Sequence, residues 1–225
     1  MSTSPALPLF AAVAAVARAL GHEHRLLILE RLAQGERPVE IVAARCGLTV
    51  ANASQHLQVL RRAGLVTARR EGKHVHYRLT DDIAVVRLLT SLREMAEEQL
   101  EEVERISAAY LEHLDGVEPV SREEMATRIR EGSAVVLDVR PPDEFASGHV
   151  PGARNIPVAE LETRIAELPA AMEVVAYCRG PWCVLSFEAV ALLRRHGRPA
   201  RRLVDGLPEW RAAGLPVEQS EGTTQ

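Results

Sequence analysis

The spacing of apolar residues changes character once along this chain, near residue 120, and one packed core cannot serve both patterns. Up to residue 114 apolar positions recur at three- and four-residue steps, the period of helices packed on one face. Beyond it, the β-branched runs "SAVVLDVR" and "MEVVAYC" alternate with helical stretches at 121–131, 159–168 and 185–196. Short apolar runs of that kind are buried strands, and strands alternating with helices build a mainly parallel sheet. The 225 residues are therefore read as a mainly-α domain at 1–114, a Gly/Pro-containing linker at 115–120 and an α/β domain at 121–225.

Charge is segregated along the same line. The formal net charge is −4, yet 18–79 carries +6 and 81–118 carries −8. A basic block followed by an acidic helical block points to a nucleic-acid surface and then a solvated spacer or dimer helix. Three cysteines make no disulfide framework, and a reducing cytoplasm is the expected setting. The apolar stretch "ALPLFAAVAAVARAL" has no preceding positive charge, contains Arg18 and is too short to span a bilayer, so it is read as a helix and no membrane partner is expected.

In "HRLLILERLAQGERP", Leu26, Leu29 and Leu32 form a stripe that Gly35 to Pro38 break. Ile41, Val42 and Ala44 then mark a short helix ending at Gly47, and Thr49 can cap a second helix whose Ala53, Leu57 and Leu60 face inward. This is the helix-turn-helix pattern, with Asn52, Ser54, Gln55 and His56 as polar residues able to reach base edges. "LVTARREGKHVHYRL" follows as two short strands around Glu71-Gly72, with Arg69, Arg70, Lys73 and His74 at the tip, a wing placed to touch phosphates. From Asp81 to Leu114 a long helical run carries Val85, Leu88, Leu92, Met95, Val103, Ile106 and Tyr110 on one stripe and glutamates opposite, as expected for dimer contacts.

These residues carry a resemblance. "ALGHEHRLLILERL", "LTVANASQHLQVLRRAGLV" and "REGKHVHYRL" resemble the ArsR family of winged-helix repressors, over roughly residues 8–112. The resemblance implies a homodimer on double-stranded operator DNA, released by an inducer, with Thr49, Asn52, Ser54 and Gln55 facing bases and Arg69, Arg70 and Lys73 on the backbone. Metal-sensing members carry a C-x-C in the first reading helix, or Asp and His on the dimer helix. This chain has only Cys46 in the first place and no His from Asp81 to Glu112. The pairs His22/His24 and His74/His76 are a weak signal, so no metal site of the known kinds and no cofactor are expected.

In the second half "YCRGPWCVLS" puts Cys178 where a strand should end and a helix begin, the usual place for chemistry in a parallel sheet. Residues 179–184 can curl so that backbone N–H groups and a helix dipole favour a thiolate, making Cys178 nucleophilic near neutral pH. Arg179 adds charge if it turns inward, Gly180 gives backbone freedom, Pro181 stiffens the loop, Trp182 offers an apolar wall and Val184 closes it. "SREE" reads as a capping box made by Ser121 and Glu124.

"LDVRPPDEFASGHVPGARNIP", "VVAYCRG" and "LVDGLPEWRAAGLPV" resemble a single rhodanese domain over about 119–219. That resemblance implies that Cys178 accepts a sulfane sulfur as a persulfide, and that Asp138, Arg140, Glu144 and His149 serve as scaffold. Single-domain rhodaneses often have an arginine five positions after the cysteine; here Cys183 stands there, and Val184 breaks the cysteine-x5-arginine pattern of phosphatases. A second thiol so placed can attack a persulfide on Cys178 and expel sulfide. The expected function is a DNA-binding repressor whose rhodanese-like domain senses or transfers sulfur from a small donor (persulfide, polysulfide or thiosulfate). The alternatives are a sulfurtransferase with an uncoupled DNA-binding domain, and a metal- or arsenite-responsive repressor.

Overall fold

The computed structural model describes residues 6–109 and 118–219. The chain groups into two compact units that divide between Leu89 and Thr90.

The first unit runs α1 (Leu7–Leu20), α2 (Glu23–Leu32), β1 (Arg37–Pro38), α3 (Val39–Arg45), α4 (Val50–Arg62), β2 (Val66–Glu71) and β3 (His74–Leu79). Helix α5 (Asp82–Gln99) begins here and continues past the division. Thr49 caps α4 as expected, its hydroxyl accepting from Asn52 N–H at 3.2 Å. Gly47 supplies the left-handed φ of 65° between α3 and α4, a conformation that costs a side-chain-bearing residue more. Ala53, Leu57 and Leu60 are fully buried, as their spacing predicts. The α2 stripe differs from expectation: Ile28 lies inside with Leu29 and Leu32, while Leu26 is 36% exposed. Strands β2 and β3 pair antiparallel around Gly72 and Lys73. The segment expected only as a break contains β1, which pairs Arg37 with Tyr77 and makes the sheet three-stranded. Two residues show no periodicity, so only the partner strand reveals them.

The expected long acidic helix is interrupted. Helix α6 (Glu101–Ser107) follows α5 after Leu100, whose backbone is extended at φ −118°, ψ 99°. Glu97/Glu101 and Glu98/Glu102 would stack like charges one turn apart in a continuous helix, which disfavours it there. Tyr110, the last residue of the expected stripe, and residues 115–117 of the expected linker lie outside the described residues. No helix of the described residues is long and apolar enough to cross a membrane.

The second unit contains α7 (Arg122–Glu131), β4 (Ala134–Asp138), α8 (Pro142–Ser147), β5 (Arg154–Asn155), α9 (Val158–Arg164), β6 (Glu173–Cys178), α10 (Val184–Arg195), β7 (Ala200–Gly206) and α11 (Leu207–Ala212). The sheet has four parallel strands in the order β5-β4-β6-β7. Strand alternation sorts β6 into two cores. Val174, Ala176 and Cys178 pack with Leu161, Ala189 and Leu193 of α9 and α10, while Val175 and Tyr177 pack with Met125 and Trp210 of α7 and α11. Half of the expected capping box forms: Ser121 accepts from Glu124 N–H at 3.1 Å. The Glu124 carboxylate turns instead to Arg128 at 2.6 Å and Arg201 at 2.8 Å, charged partners stronger than a backbone amide.

Candidate sulfur site and DNA-reading surface

Strand β6 carries Cys178 to its carboxyl end, and the period of two turns the sulfur toward α10. The loop then folds through a turn in which Cys183 N–H donates to Gly180 carbonyl at 3.0 Å, with Pro181 and Trp182 at its corners. That spends one of the amides expected to point at a common centre. Cys183 is the N-cap residue of α10, so the amino end of a twelve-residue helix stands behind the loop. Cys178 and Cys183 are paired as a disulfide with Cα atoms 6.5 Å apart, within the span such bonds bridge. Both are buried, at 1% and 8% exposure.

The glycine that the loop depends on is one the sequence reading passed over. Gly206, at the end of β7, sits opposite Cys178. A Cβ there would lie 2.3 Å from Arg179 C and Gly180 N, so only glycine lets β7 approach the loop backbone this closely. At Gly180, expected to need the freedom, an added Cβ meets nothing nearer than Glu209 at 3.7 Å. Within the same unit, Glu209 accepts from Gly206 N–H at 3.1 Å and from Arg93 of α5 at 3.1 Å. Trp182, half exposed, donates its indole N–H to Glu97 at 2.8 Å.

The four expected scaffold residues are brought together beside the loop. Arg140, fully buried, donates to Asp138 from Nε at 3.0 Å and from Nη2 at 2.5 Å, and to Gly148 carbonyl at 2.8 Å. Burial works against its charge, and the Asp138 carboxylate more than reverses that, so the guanidinium stays protonated. Burial, aided by Asp138, pushes the neighbouring Tyr177 phenol far above its ordinary range; its oxygen accepts from Val150 N–H at 3.0 Å. Glu144 holds Arg179 in a two-pronged pair, Nε to Oε2 at 2.9 Å and Nη2 to Oε1 at 2.9 Å. Arg179 thus turns to a buried carboxylate, which sets the loop's base rather than adding bare charge to it. His149 stacks on Phe145 with centroids 3.7 Å apart, and its Nδ1 lies 3.0 Å from Phe145 carbonyl.

On the first unit, Asn52 and Gln55 are exposed on α4 and Ser54 is half-buried. Thr49 is exposed, with its hydroxyl engaged in the cap. His56 is half-buried with its ring 4.5 Å from that of His22. At the wing, Arg69 is bound by Glu36 at 2.6 Å and Glu71 at 2.6 Å, so its charge is largely matched. Arg70 donates to Gly72 carbonyl at 3.2 Å, Lys73 is exposed, and His74 lies 3.4 Å from Glu40. Arg61 and Arg62 are exposed in the last turn of α4. The charge count included them, but no motif singled them out.

A winged helix-turn-helix followed by a parallel-sheet domain with a strand-end cysteine defines a transcriptional regulator carrying a rhodanese-like module. Residues 20–69 match the model of a helix-turn-helix domain, and residues 121–213 match that of a rhodanese-like domain. The chain is 44% identical over 207 residues to the HTH-type transcriptional regulator Rv0324 of Mycobacterium tuberculosis, covering 92% of this chain and 90% of that one. It belongs to that family of HTH-type transcriptional regulators, with a helix-turn-helix first half and a rhodanese-like second. The second half is also similar to a sulfurtransferase of Allochromatium vinosum, 32% identical over 108 residues, which is 47% of this chain and 99% of that one. The first half is similar to a homodimeric winged helix-turn-helix domain from Mycobacterium bovis solved in solution, described as a possible ArsR-family regulator. That likeness is 41% identical, covers 45% of this chain and 94% of that one, and has a TM-score of 0.41.

Proposed function

We propose that this regulator is a homodimeric repressor whose Cys178 takes up sulfane sulfur and whose Cys183 resolves the product, changing affinity for operator DNA. The observation that carries the reading is the meeting of Cys178 and Cys183 in one turn at the end of β6. In the reduced chain, Cys178 lies five residues before the N-cap of α10, and its thiolate is the form that reacts. That thiolate attacks the outer sulfur of a persulfide or polysulfide, and the donor leaves as a thiolate one sulfur shorter. The Cys183 thiolate then attacks Cys178 Sγ, breaking the Sγ–S bond and expelling hydrosulfide. Two cysteines lose two electrons to form the disulfide, and the sulfane sulfur gains them. The missing arginine at 183 disfavours thiosulfate as the donor. Apolar side chains exposed on α1 (Leu9, Phe10 and Val13) and on α5 (Leu88 and Leu92) support the dimer.

The test is a titration of reduced protein on its own promoter, repeated after polysulfide treatment, with mass spectrometry of the 178–183 peptide. Falling affinity as the peptide gains a persulfide or bridge supports sensing. A modified peptide with unchanged affinity would leave a sulfurtransferase uncoupled from DNA binding.

The wing makes a separate forecast. Lys73→Ala should weaken binding on every sequence and reduce the slope of log affinity against log salt by about one, the signature of a lost phosphate contact. Arg69→Ala should cost less, because Glu36 and Glu71 already hold that guanidinium. Filter-binding or anisotropy titrations across a salt series measure both, and an unchanged Lys73→Ala slope removes the wing from the phosphates.

A further inference from the structure

Sulfur chemistry leaves unused a cluster of three imidazoles in the first unit. His22 and His24 are two apart, a spacing that diverges within a regular helix. Here His22 is the N-cap of α2, with extended backbone at φ −163°, ψ 128°, so its ring folds back over the first turn. Helix α4 packs against α2, and His56, next to the buried Leu57, comes to the same place. Ring centroids lie 4.5 Å apart for His22–His56, 5.4 Å for His22–His24 and 5.6 Å for His24–His56. One nitrogen from each ring falls within 4.8 Å of the other two.

We propose that His22, His24 and His56 form a binding site for a late first-row divalent cation, zinc foremost. Three imidazole nitrogens with no thiolate suit zinc, cobalt, nickel or copper(II), and leave a fourth position to water. Metal–nitrogen bonds of about 2.0–2.1 Å require the nitrogens to close to about 3.3 Å, a movement open to half-buried rings. The surroundings fit a cation. The Glu23 carboxylate lies 3.5 Å from His22 Nδ1 and 3.8 Å from His24 Nδ1. Arg25 donates to Ala19 carbonyl at 2.5 Å and to Arg18 carbonyl at 3.0 Å. The cluster lies on α2 and α4, apart from the first reading helix and the dimer helix.

Binding is coupled to local structure at both ends. His22 Nδ1 now accepts the His24 backbone N–H at 3.2 Å, and a ring coordinating through either nitrogen gives up that lone pair or the proton pattern it needs. A bound ion therefore takes over the role of the α2 cap. It also fixes His56 against α2, withdrawing it from any role on DNA.

The test uses untagged, chelator-stripped full-length protein in a Cys178→Ser/Cys183→Ser background, so that loop thiols do not compete. Cobalt(II) titration read by visible absorption, with zinc displacement, measures the site. One ion per chain is expected, with affinity lowered at least tenfold in His24→Gln and in His22→Asn, which keeps a capping side chain while removing the imidazole. Histidine ring resonances should shift on adding zinc. Absence of uptake by the parent protein overturns the site, as does equal affinity in both variants.

Discussion

Protein carrying Cys178→Ser is expected to acquire no persulfide and no bridge from a polysulfide donor, while its reduced form binds operator DNA as the parent does. The exchange changes one atom at the end of β6. A hydroxyl is not ionised near neutral pH and is a poor nucleophile toward sulfur, so uptake falls to background rather than by a modest factor. Cys183→Ser separates the two roles: the 178–183 peptide should gain one sulfur and stop there, because nothing remains to expel hydrosulfide. Intact-protein mass spectrometry with operator titration reads both. Sulfur still entering the loop of the Cys178→Ser protein would relocate the acceptor. Lost DNA binding in that reduced variant would make the cysteine a structural residue, consistent with its place in the apolar core.

Asp138→Ala should destabilise the second unit by about 3–5 kcal/mol, the cost of stranding a buried charge by removing its partner. Arg140 has no exposed surface and donates to both Asp138 oxygens. The Asp138 carboxylate also accepts the Arg140 backbone N–H at 3.0 Å, so one truncation undoes a charge pair and a turn together. Both tryptophans of the chain, Trp182 and Trp210, lie in this unit, so denaturant unfolding followed by their fluorescence reports on it. The paired replacement Asp138→Leu/Arg140→Met should recover much of the loss, since an apolar pair leaves no charge buried without its partner. If the double variant is no better than Asp138→Ala, packing around the pair outweighs its charge.

Elements with strong periodicity were legible from residues alone. Ala53, Leu57 and Leu60 foretell α4, the valines of 173–178 foretell β6, and the basic hairpin lies where its turn residues put it. What escaped was too short to show a period, or depended on neighbours rather than on single residues. Strand β1 exists because β3 lies beside it, α8 is six residues long, and the α5–α6 break is set by stacked glutamates that look helical one by one. In the site, Cys178 and Cys183 could be found from their spacing, and Asp138 and Arg140 from the rhodanese resemblance. Gly206 could not, because its importance is an approach of two backbones 27 residues apart. The pairing of Arg179 with Glu144, and the meeting of His56 with His22, were hidden for the same reason.

Arg93 and Glu97 bear on how the chain can be taken apart. Both sit on α5, yet they bind Glu209 and Trp182 within the second unit, outside the stretch that matches the rhodanese-like model. A fragment cut to that match, beginning at 121, would leave Glu209 without its guanidinium and the indole N–H of Trp182 without its acceptor. Excision at the apparent seam would thus yield a module lacking two of its own supports, whereas one beginning near Thr90 keeps them. Boundaries drawn by resemblance and boundaries drawn by contact differ here by about thirty residues, and the second kind should guide any dissection of this protein.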